Sequence, residues 1–184
     1  MKPNDFPIIK TDRLLLRQFN SDDIDNVFAG LSHPDVIKYY GVSYHSLEAT
    51  KRQMEFFSDL EANETGIWWA VCSIDNKVFY GAGGLNSLSK EHKKAEIGFW
   101  LLPAFWGKGI MTEAIPLICE YGFGRLGLHR IEGIVETENL NCRKALLKLQ
   151  FRHEGTMNEC EVKNGKFISL DMYAKFNTVR QPFS

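Results

Sequence analysis

The sequence predicts a mixed α/β fold, a mostly antiparallel twisted sheet of about seven strands flanked by about four helices. Three observations lead there. β-rich runs are joined by short polar turns of hairpin length. Amphipathic segments at helical spacing interleave with them. The 184 residues, 44% hydrophobic and 12% aromatic, can fill a single core. One domain spanning 1–184 is expected, with no internal repeat, linker or low-complexity tract.

Leu14 and Leu16 alternate with Leu15 and Arg17 in a short run after Asp12, which reads as a first strand. Ser21 followed by Asp22, Asp23 and Ile24 reads as a helix start with acids in its first turn. His33 to Tyr44, with Pro34, Gly41 and three tyrosines, reads as a loop or short helix. Ser46 then caps a second helix beginning SLEATKRQMEFFSDLE.

IWWAVCSI and VFYGAGGLNSL are strands separated by the polar turn Asp75, Asn76, Lys77. Gly81, Gly83 and Gly84 mark close packing or a bulge. KEHKK at residues 90 to 94 reads as a solvated loop, with a steering role for an anionic ligand as the alternative. Glu96 to Leu102 is the next strand. From Ile110, the residues Ala114, Leu117, Ile118 and Tyr121 recur at helical spacing. Pro116 removes a backbone donor there and is expected to kink the helix at a cost of about 3 kcal/mol. Gly122, Gly124 and Gly127 are expected to close it, and HRIEGIVE is the following strand. Asn139 caps a helix whose Cys142, Ala145, Leu146 and Leu149 share one face, opposite Arg143, Lys144 and Lys148. FRHEGTMNECEV, a turn at Asn164 and Gly165, and KFISLDMYAKF form a final hairpin.

Several function classes fit poorly. A net charge of −1 offers no general phosphate-backbone attraction, so direct nucleic-acid binding is not expected. No apolar run is long enough to span a bilayer, and MKPNDFPIIKTDRL has neither a signal core nor transit-peptide character; the cytoplasm is the expected compartment. Cys72, Cys119, Cys142 and Cys160 lack metal-ligand spacing and read as reduced thiols. The five histidines are scattered, so no metal is expected.

The chemistry concentrates in EIGFWLLPAFWGKGIMTEA, Glu96 to Ala114, where a strand enters a glycine-punctuated turn and becomes a helix. Gly107 and Gly109 lack a Cβ and allow close backbone approach, while the first N–H groups of the helix lack intrahelical acceptors. Such donors at the positive end of a helix dipole suit a phosphate or diphosphate. Two commoner phosphate motifs fail here. A P-loop needs glycine at Leu102 and Ser or Thr at Gly109, and a dinucleotide fingerprint needs glycine at Thr112. Nucleotide hydrolysis is therefore remote.

The segment resembles the pyrophosphate loop of the GCN5-related N-acetyltransferases (GNAT), whose pattern is Gln or Arg, two residues, Gly, one residue, then Gly or Ala. Gly109 occupies the central glycine, with Trp106 in place of Gln/Arg and Met111 in place of the small residue. WGKGIMTEA is similar to the RimJ/RimL-like branch, which includes ribosomal-protein N-terminal acetyltransferases. TDRLLLRQFNSDDIDNVF and RIEGIVETENLNCRKALLKLQF extend the resemblance over most of the chain, in that branch's order. Cys142 stands where the branch commonly has Ser, and Gln150 where Gly precedes the Phe.

The resemblance implies acetyl-CoA as cofactor and an amine as acceptor. The diphosphate would rest on main-chain amides across Gly107, Lys108, Gly109, Ile110, Met111 and Thr112. The pantetheine arm would pair with the strand end at Leu101 and Leu102, in a wedge between that strand and HRIEGIVE; Asn139 would lie beside it. Direct attack on the thioester needs a neutral amine, a stabilised oxyanion and protonation of the leaving thiolate. Glu96 is the candidate base, with Glu132 and Glu136, on one face of the next strand, as rivals. Cys142 is either the proton donor, with a pKa that a helix N-terminus tends to lower, or the first residue of an apolar face. Tyr121 and Tyr173 are other possible donors, and Tyr39, Tyr40 and Tyr44 either flank the acceptor entrance or pack in the core. The resemblance points to a protein N-terminal α-amine, such as a ribosomal protein's. A small amine (polyamine, amino acid or aminoglycoside) and a non-catalytic acyl-CoA-binding module are the alternatives. The oligomeric state stays open.

Overall fold

A computed structural model of the protein describes residues 6–178. Residues 1–5, part of the opening segment read above for signal character, and residues 179–184 lie outside the described residues. The chain forms β1 (Ile9–Lys10), β2 (Leu14–Arg17), α1 (Ile24–Leu31), α2 (Pro34–Ile37), α3 (Leu47–Ala62), β3 (Ile67–Ser73), β4 (Phe79–Ser89) and β5 (Lys94–Leu101). It continues with α4 (Ile110–Gly124), β6 (Arg130–Glu136), α5 (Leu140–Lys148), β7 (Arg152–Lys163) and β8 (Lys166–Phe176).

The strands make one eight-stranded sheet in the order β1-β2-β3-β4-β5-β6-β8-β7. Every neighbouring pair is antiparallel except β5 and β6, which run parallel. The strand beyond the expected seven is β1, whose two residues are too few to show a period but pair Ile9 with Leu16. The short α2 completes the helices, and its first residue is Pro34, where a missing N–H costs nothing.

Alternation along the strands sorts side chains into two cores. Leu14, Leu16, Trp69, Val71, Ile97 and Ile131 face α4 and α5, meeting Ile115, Ile118 and Leu146. Leu15, Trp68, Ala70, Cys72, Ala82 and Trp100 face the opposite way, onto α1 and α3 through Val27, Leu31, Phe57 and Leu60. Burying each such Leu, Ile or Phe contributes roughly 1.5–3 kcal/mol, so both helical layers are held firmly.

Local chemistry sets the helix ends. Asn20, one residue before the expected start, accepts from the Asp22 N–H in a capping box with Asp23. Ser46 accepts from the Ala49 N–H at 3.1 Å, and Asn139 from the Cys142 N–H at 3.1 Å. α4 runs unbroken through Pro116, whose flanking Ile115 and Ile118 are fully buried. Gly122 does not close that helix. It lies inside it, where an added Cβ would come 3.0 Å from Leu85; Gly124 is the last helical residue and Gly127 takes φ +66°. Gly81 and Gly84 are packing glycines, since a Cβ would stand 2.2 Å from the Trp100 carbonyl oxygen and 2.4 Å from Trp68 Cγ respectively.

No helix among the described residues is long and apolar enough to cross a membrane. The four cysteines form no disulfide, and burial pushes the Cys72 thiol up to about 11.

Candidate active site

β5 and β6 pair only at Lys94 with Arg130, Ala95 with Ile131 and Glu96 with Glu132. Beyond Glu96 they part: β5 stays with β4 as far as Leu101, and β6 pairs with β8 along its whole length. A cavity of about 1150 Å³ opens at this fork and reaches both faces of the sheet. Met111, Cys142 and Leu146 line it from the α4 and α5 side, and Tyr40, Tyr44 and Phe56 from the side of α1 to α3.

At the α4 end, Gly107 and Gly109 take φ of +73° and +74°, the left-handed region that favours glycine. The first backbone bond into the helix runs from the Glu113 N–H to the Gly109 carbonyl at 3.2 Å. The N–H groups of Gly109, Ile110, Met111 and Thr112 have no backbone acceptor among the described residues. Arg13, on the turn before β2, donates to the Lys108 carbonyl at 3.3 Å and the Gly109 carbonyl at 3.2 Å. A planar trans peptide points its N–H opposite its C=O, so this clamp aims the amides of Gly109 and Ile110 away from Arg13. Glu113 holds the guanidinium in turn and also accepts from Thr11. Burial works to raise the Glu113 carboxyl, and the Thr11 and Arg13 contacts outweigh it, leaving it below the usual range. Four unspent amides at a helix N-terminus, braced from behind, make an anion site. The loop side chains add little to it: the Lys108 ammonium lies 5.2 Å from the Phe105 ring centroid, and Ile110 and Met111 are buried.

The strand edge differs from the expectation. The Leu102 N–H is committed to the Tyr80 carbonyl at 2.9 Å, facing β4, and Leu102 does not line the cavity. Leu101 lines it, but its carbonyl accepts from the Trp106 indole N–H at 2.9 Å. Because bonding directions alternate along β5, the main-chain groups of Phe99 face the same open side as those of Leu101. Phe99, also a lining residue, therefore extends the free edge two residues back from Leu101.

Glu96 stands at the fork. Burial raises its carboxyl above the usual range, and the neighbouring Glu132 raises it further. Glu132 itself is tied to Arg130 at 2.7 Å and Lys94 at 3.2 Å, is held below the usual range by these cations against its burial, and does not line the cavity. Glu136 does line it, but is paired with Lys163. Of the three carboxylates, Glu96 alone lacks a cationic partner among the described residues.

Asn139 and Cys142 line the cavity at the start of α5. Burial pushes the Cys142 thiol up to about 12, opposite in direction to the lowering expected of a helix N-terminus. The cause is its burial against the apolar core under α5, which penalises the thiolate. Tyr121 packs edge-on against Trp69, and Tyr173 is buried beside His153, both away from the lining. Tyr39, Tyr40 and Tyr44 all line the cavity. Sequence reasoning missed Arg13, Phe99 and Trp68, and also Lys163, which bonds the Lys38 carbonyl at 2.6 Å and draws the β7–β8 tip onto the rim. No local pattern marks such long-range partners.

A family profile described as "Acetyltransferase (GNAT) domain" matches residues 13–152. The chain is 35% identical over 170 residues to the uncharacterised N-acetyltransferase YoaA of Bacillus subtilis, covering 92% of this chain and 96% of YoaA. Its fold matches that of RimL, a ribosomal-protein α-N-acetyltransferase solved with coenzyme A, with TM-score 0.83 and 21% identity, over 92% of this chain and 98% of that one. It also matches the spermidine N-acetyltransferase of Vibrio cholerae solved with CoA and spermine, with TM-score 0.80 and 20% identity, over 90% and 96% of the two chains. The forked sheet, the glycine cradle and these relationships together establish that the chain belongs to the GNAT family and is an acetyl-CoA-dependent N-acetyltransferase.

Proposed function

We propose that the protein acetylates the α-amino group of a polypeptide, of the ribosomal-protein type, by direct attack in a ternary complex. The observation that carries this reading is the position of Glu96, at the fork where the cavity passes from the α4 and α5 face to the aromatic face. A cofactor entering along the free edge of β5 and an amine entering past Tyr40 would meet there. The unbroken sheet supports treating 1–184 as one catalytic domain.

In this reading the amides of Gly109 to Thr112 hold the diphosphate, with Gly107 and Lys108 shaping the turn. The edge at Phe99 and Leu101 accompanies the arm, and Asn139 fixes the start of α5 beside it. Glu96 takes the proton of the incoming ammonium, directly or through water. The amine nitrogen then bonds to the acyl carbon, the carbon–sulfur bond breaks, and the thiolate departs with its electron pair. Cys142, with a pKa near 12, is a poor donor to a thiolate whose own pKa is about 8.5. Its part is that of an apolar wall, and the departing thiolate takes its proton from solvent or from the protonated nitrogen newly bonded to the acyl carbon.

A polypeptide acceptor is supported by the exposed Gly41 and Val42 at the mouth, which leave room for a chain to continue outward. Acetylation of a small amine is the second reading, supported by the fold match to the spermidine enzyme. Mass spectrometry of ribosomal proteins from cells with and without this enzyme tests the proposal: a missing N-terminal acetyl group is expected. CoA release with small amines alone, and an unchanged ribosomal pattern, would contradict it.

A further inference from the structure

The aromatic end of the cavity carries a cation that the fold leaves unused. Arg52, on α3, lines it and forms no ion pair among the described residues. Its helical neighbour Glu48 is taken by Lys51 at 2.6 Å, and Glu55, one turn on, does not bond it. Of the other carboxylates lining the cavity, Glu136 is held by Lys163, whereas Asp35 is exposed and its backbone N–H donates to His33 Nδ1 at 3.2 Å. The remaining lining cation, Lys38, lies 5.0 Å from the Tyr39 ring centroid.

Glu96, Tyr40, Tyr44 and Arg52 all line this one cavity. The Tyr44 hydroxyl donates to Gln53 Oε1 at 3.1 Å, pinning the α2–α3 connection next to Arg52. Phe56, one turn along α3, and Trp68 complete an apolar wall. A molecule held in this cavity meets the Glu96 carboxyl at the fork, aromatic faces, and a guanidinium that has no ion-pair partner among the described residues.

Resting on the proposed amine acetylation, we infer that the acceptor carries an anionic group, a carboxylate or phosphate, on the same molecule as the reacting amine, and that Arg52 reads it. Guanidinium is suited to that task because its fork matches both anions in bidentate geometry. A polyamine brings instead a second ammonium toward Arg52 and meets repulsion.

Acetyl transfer to serine-initiated tetrapeptide amides tests this, with two aspartates, two asparagines or two lysines at the second and third positions. Free aspartate, O-phosphoserine and spermidine complete the panel. Wild-type protein is expected to favour the aspartate peptide over the asparagine peptide by about tenfold in kcat/KM, carried by acceptor KM. Arg52→Glu should reverse the preference toward lysine, Arg52→Lys should keep part of it, and neither should change KM for acetyl-CoA. Turnover of aspartate or O-phosphoserine at the peptide's rate assigns the anion to a small molecule, and turnover of the peptide alone assigns it to a polypeptide. Equal use of all three peptides by wild type, or an unchanged preference in Arg52→Glu, overturns the inference. Should no amine be acetylated, the acceptor reading fails by itself. Anisotropy of the same peptides, dye-labelled at the C-terminus, on CoA-loaded protein then decides: tighter aspartate-peptide binding, lost in Arg52→Glu, supports the role of Arg52, and equal binding overturns it.

Discussion

Glu96 and Glu132 are paired across the last rung that β5 and β6 share, side by side on one face of the sheet. Burial and this neighbour together raise the Glu96 carboxyl, while Arg130 and Lys94 keep Glu132 ionised. The two carboxylates thereby differ, Glu132 a paired anion and Glu96 the group proposed above as proton acceptor. A base must be ionised to act, so kcat/KM should rise with pH through the elevated pKa of Glu96. Glu132→Gln removes the repelling charge and leaves Arg130 and Lys94 nearby, which moves that limb to lower pH. Comparing the two pH–rate profiles with one acceptor checks this, because the acceptor's own ionisation is common to both. Glu96→Gln should lower kcat by about 10²–10⁴-fold.

The same group makes a prediction about stability. A carboxyl whose folded pKa lies above its unfolded value binds its proton more tightly when folded. Its stabilising contribution is present below the unfolded pKa and is lost as pH rises through the folded one. Glu96→Gln should therefore be more stable than wild type at neutral pH and show a flatter profile above about pH 4.5. Urea denaturation at pH 5 and pH 8 measures the difference; a variant less stable at both values contradicts the assignment.

Arg13 braces the phosphate loop without facing the cavity. Arg13→Ala frees the carbonyls of Lys108 and Gly109 and leaves Glu113 without its cation. Acetyl-CoA affinity should fall by about tenfold, roughly 1.4 kcal/mol, with acceptor KM little changed. Arg13→Lys should rescue it only in part, because one ammonium cannot span two carbonyls and a carboxylate as a guanidinium fork does. Calorimetric titration with the cofactor reads the effect directly.

The loop that Arg13 supports was legible in the sequence, because Gly107 and Gly109 encode positive φ locally and Asn139 encodes a cap three residues before Cys142. Hairpins at Asp75 and Asn164 were legible for the same reason: turn chemistry is written in adjacent residues. Arg13 was not, since its partners lie about a hundred positions away and nothing near Thr11 signals them. The free edge of β5 was displaced in the reading because Trp106 folds back onto the Leu101 carbonyl, a contact that depends on the turn between them. The pKa of Cys142 was misjudged in direction because helix-end position is visible in sequence, whereas the apolar burial that raises it is a tertiary property.

Cys142 should tolerate the loss of its thiol. With a pKa near 12 it contributes little acid catalysis, so Cys142→Ala should retain kcat within about threefold and lose about 1 kcal/mol of stability from lost packing. A fall of about 10²-fold with unchanged cofactor affinity would restore it as the proton donor. Alkylation at pH 8 followed by peptide mass mapping gives a second readout: exposed Cys160 should react well before Cys142.

Trp68 forms the floor of the aromatic end because two glycines make room for it. An added Cβ at Gly98 would stand 2.6 Å from Trp68 Cζ2 and 2.8 Å from Cη2, and one at Gly84 would stand 2.4 Å from Cγ. Both ends of the indole are thus fixed against β4 and β5, with Phe57 closing the far side at 5.5 Å between ring centroids. Gly98→Ala cannot be absorbed by a flexible tip, since the colliding atoms belong to a rigid buried ring. It should cost about 1–3 kcal/mol by overpacking and push the indole into the cavity. The glycine loop proposed to cradle the cofactor is not among the groups that seat this ring, which are Gly84, Gly98 and Phe57. Acetyl-CoA affinity should therefore persist in Gly98→Ala while acceptor KM rises several-fold, and trimming the ring in a Gly98→Ala/Trp68→Phe double variant should recover part of the loss. Equal damage to both substrates would instead mean that the sheet itself had shifted, and that Trp68 does not shape the acceptor end independently.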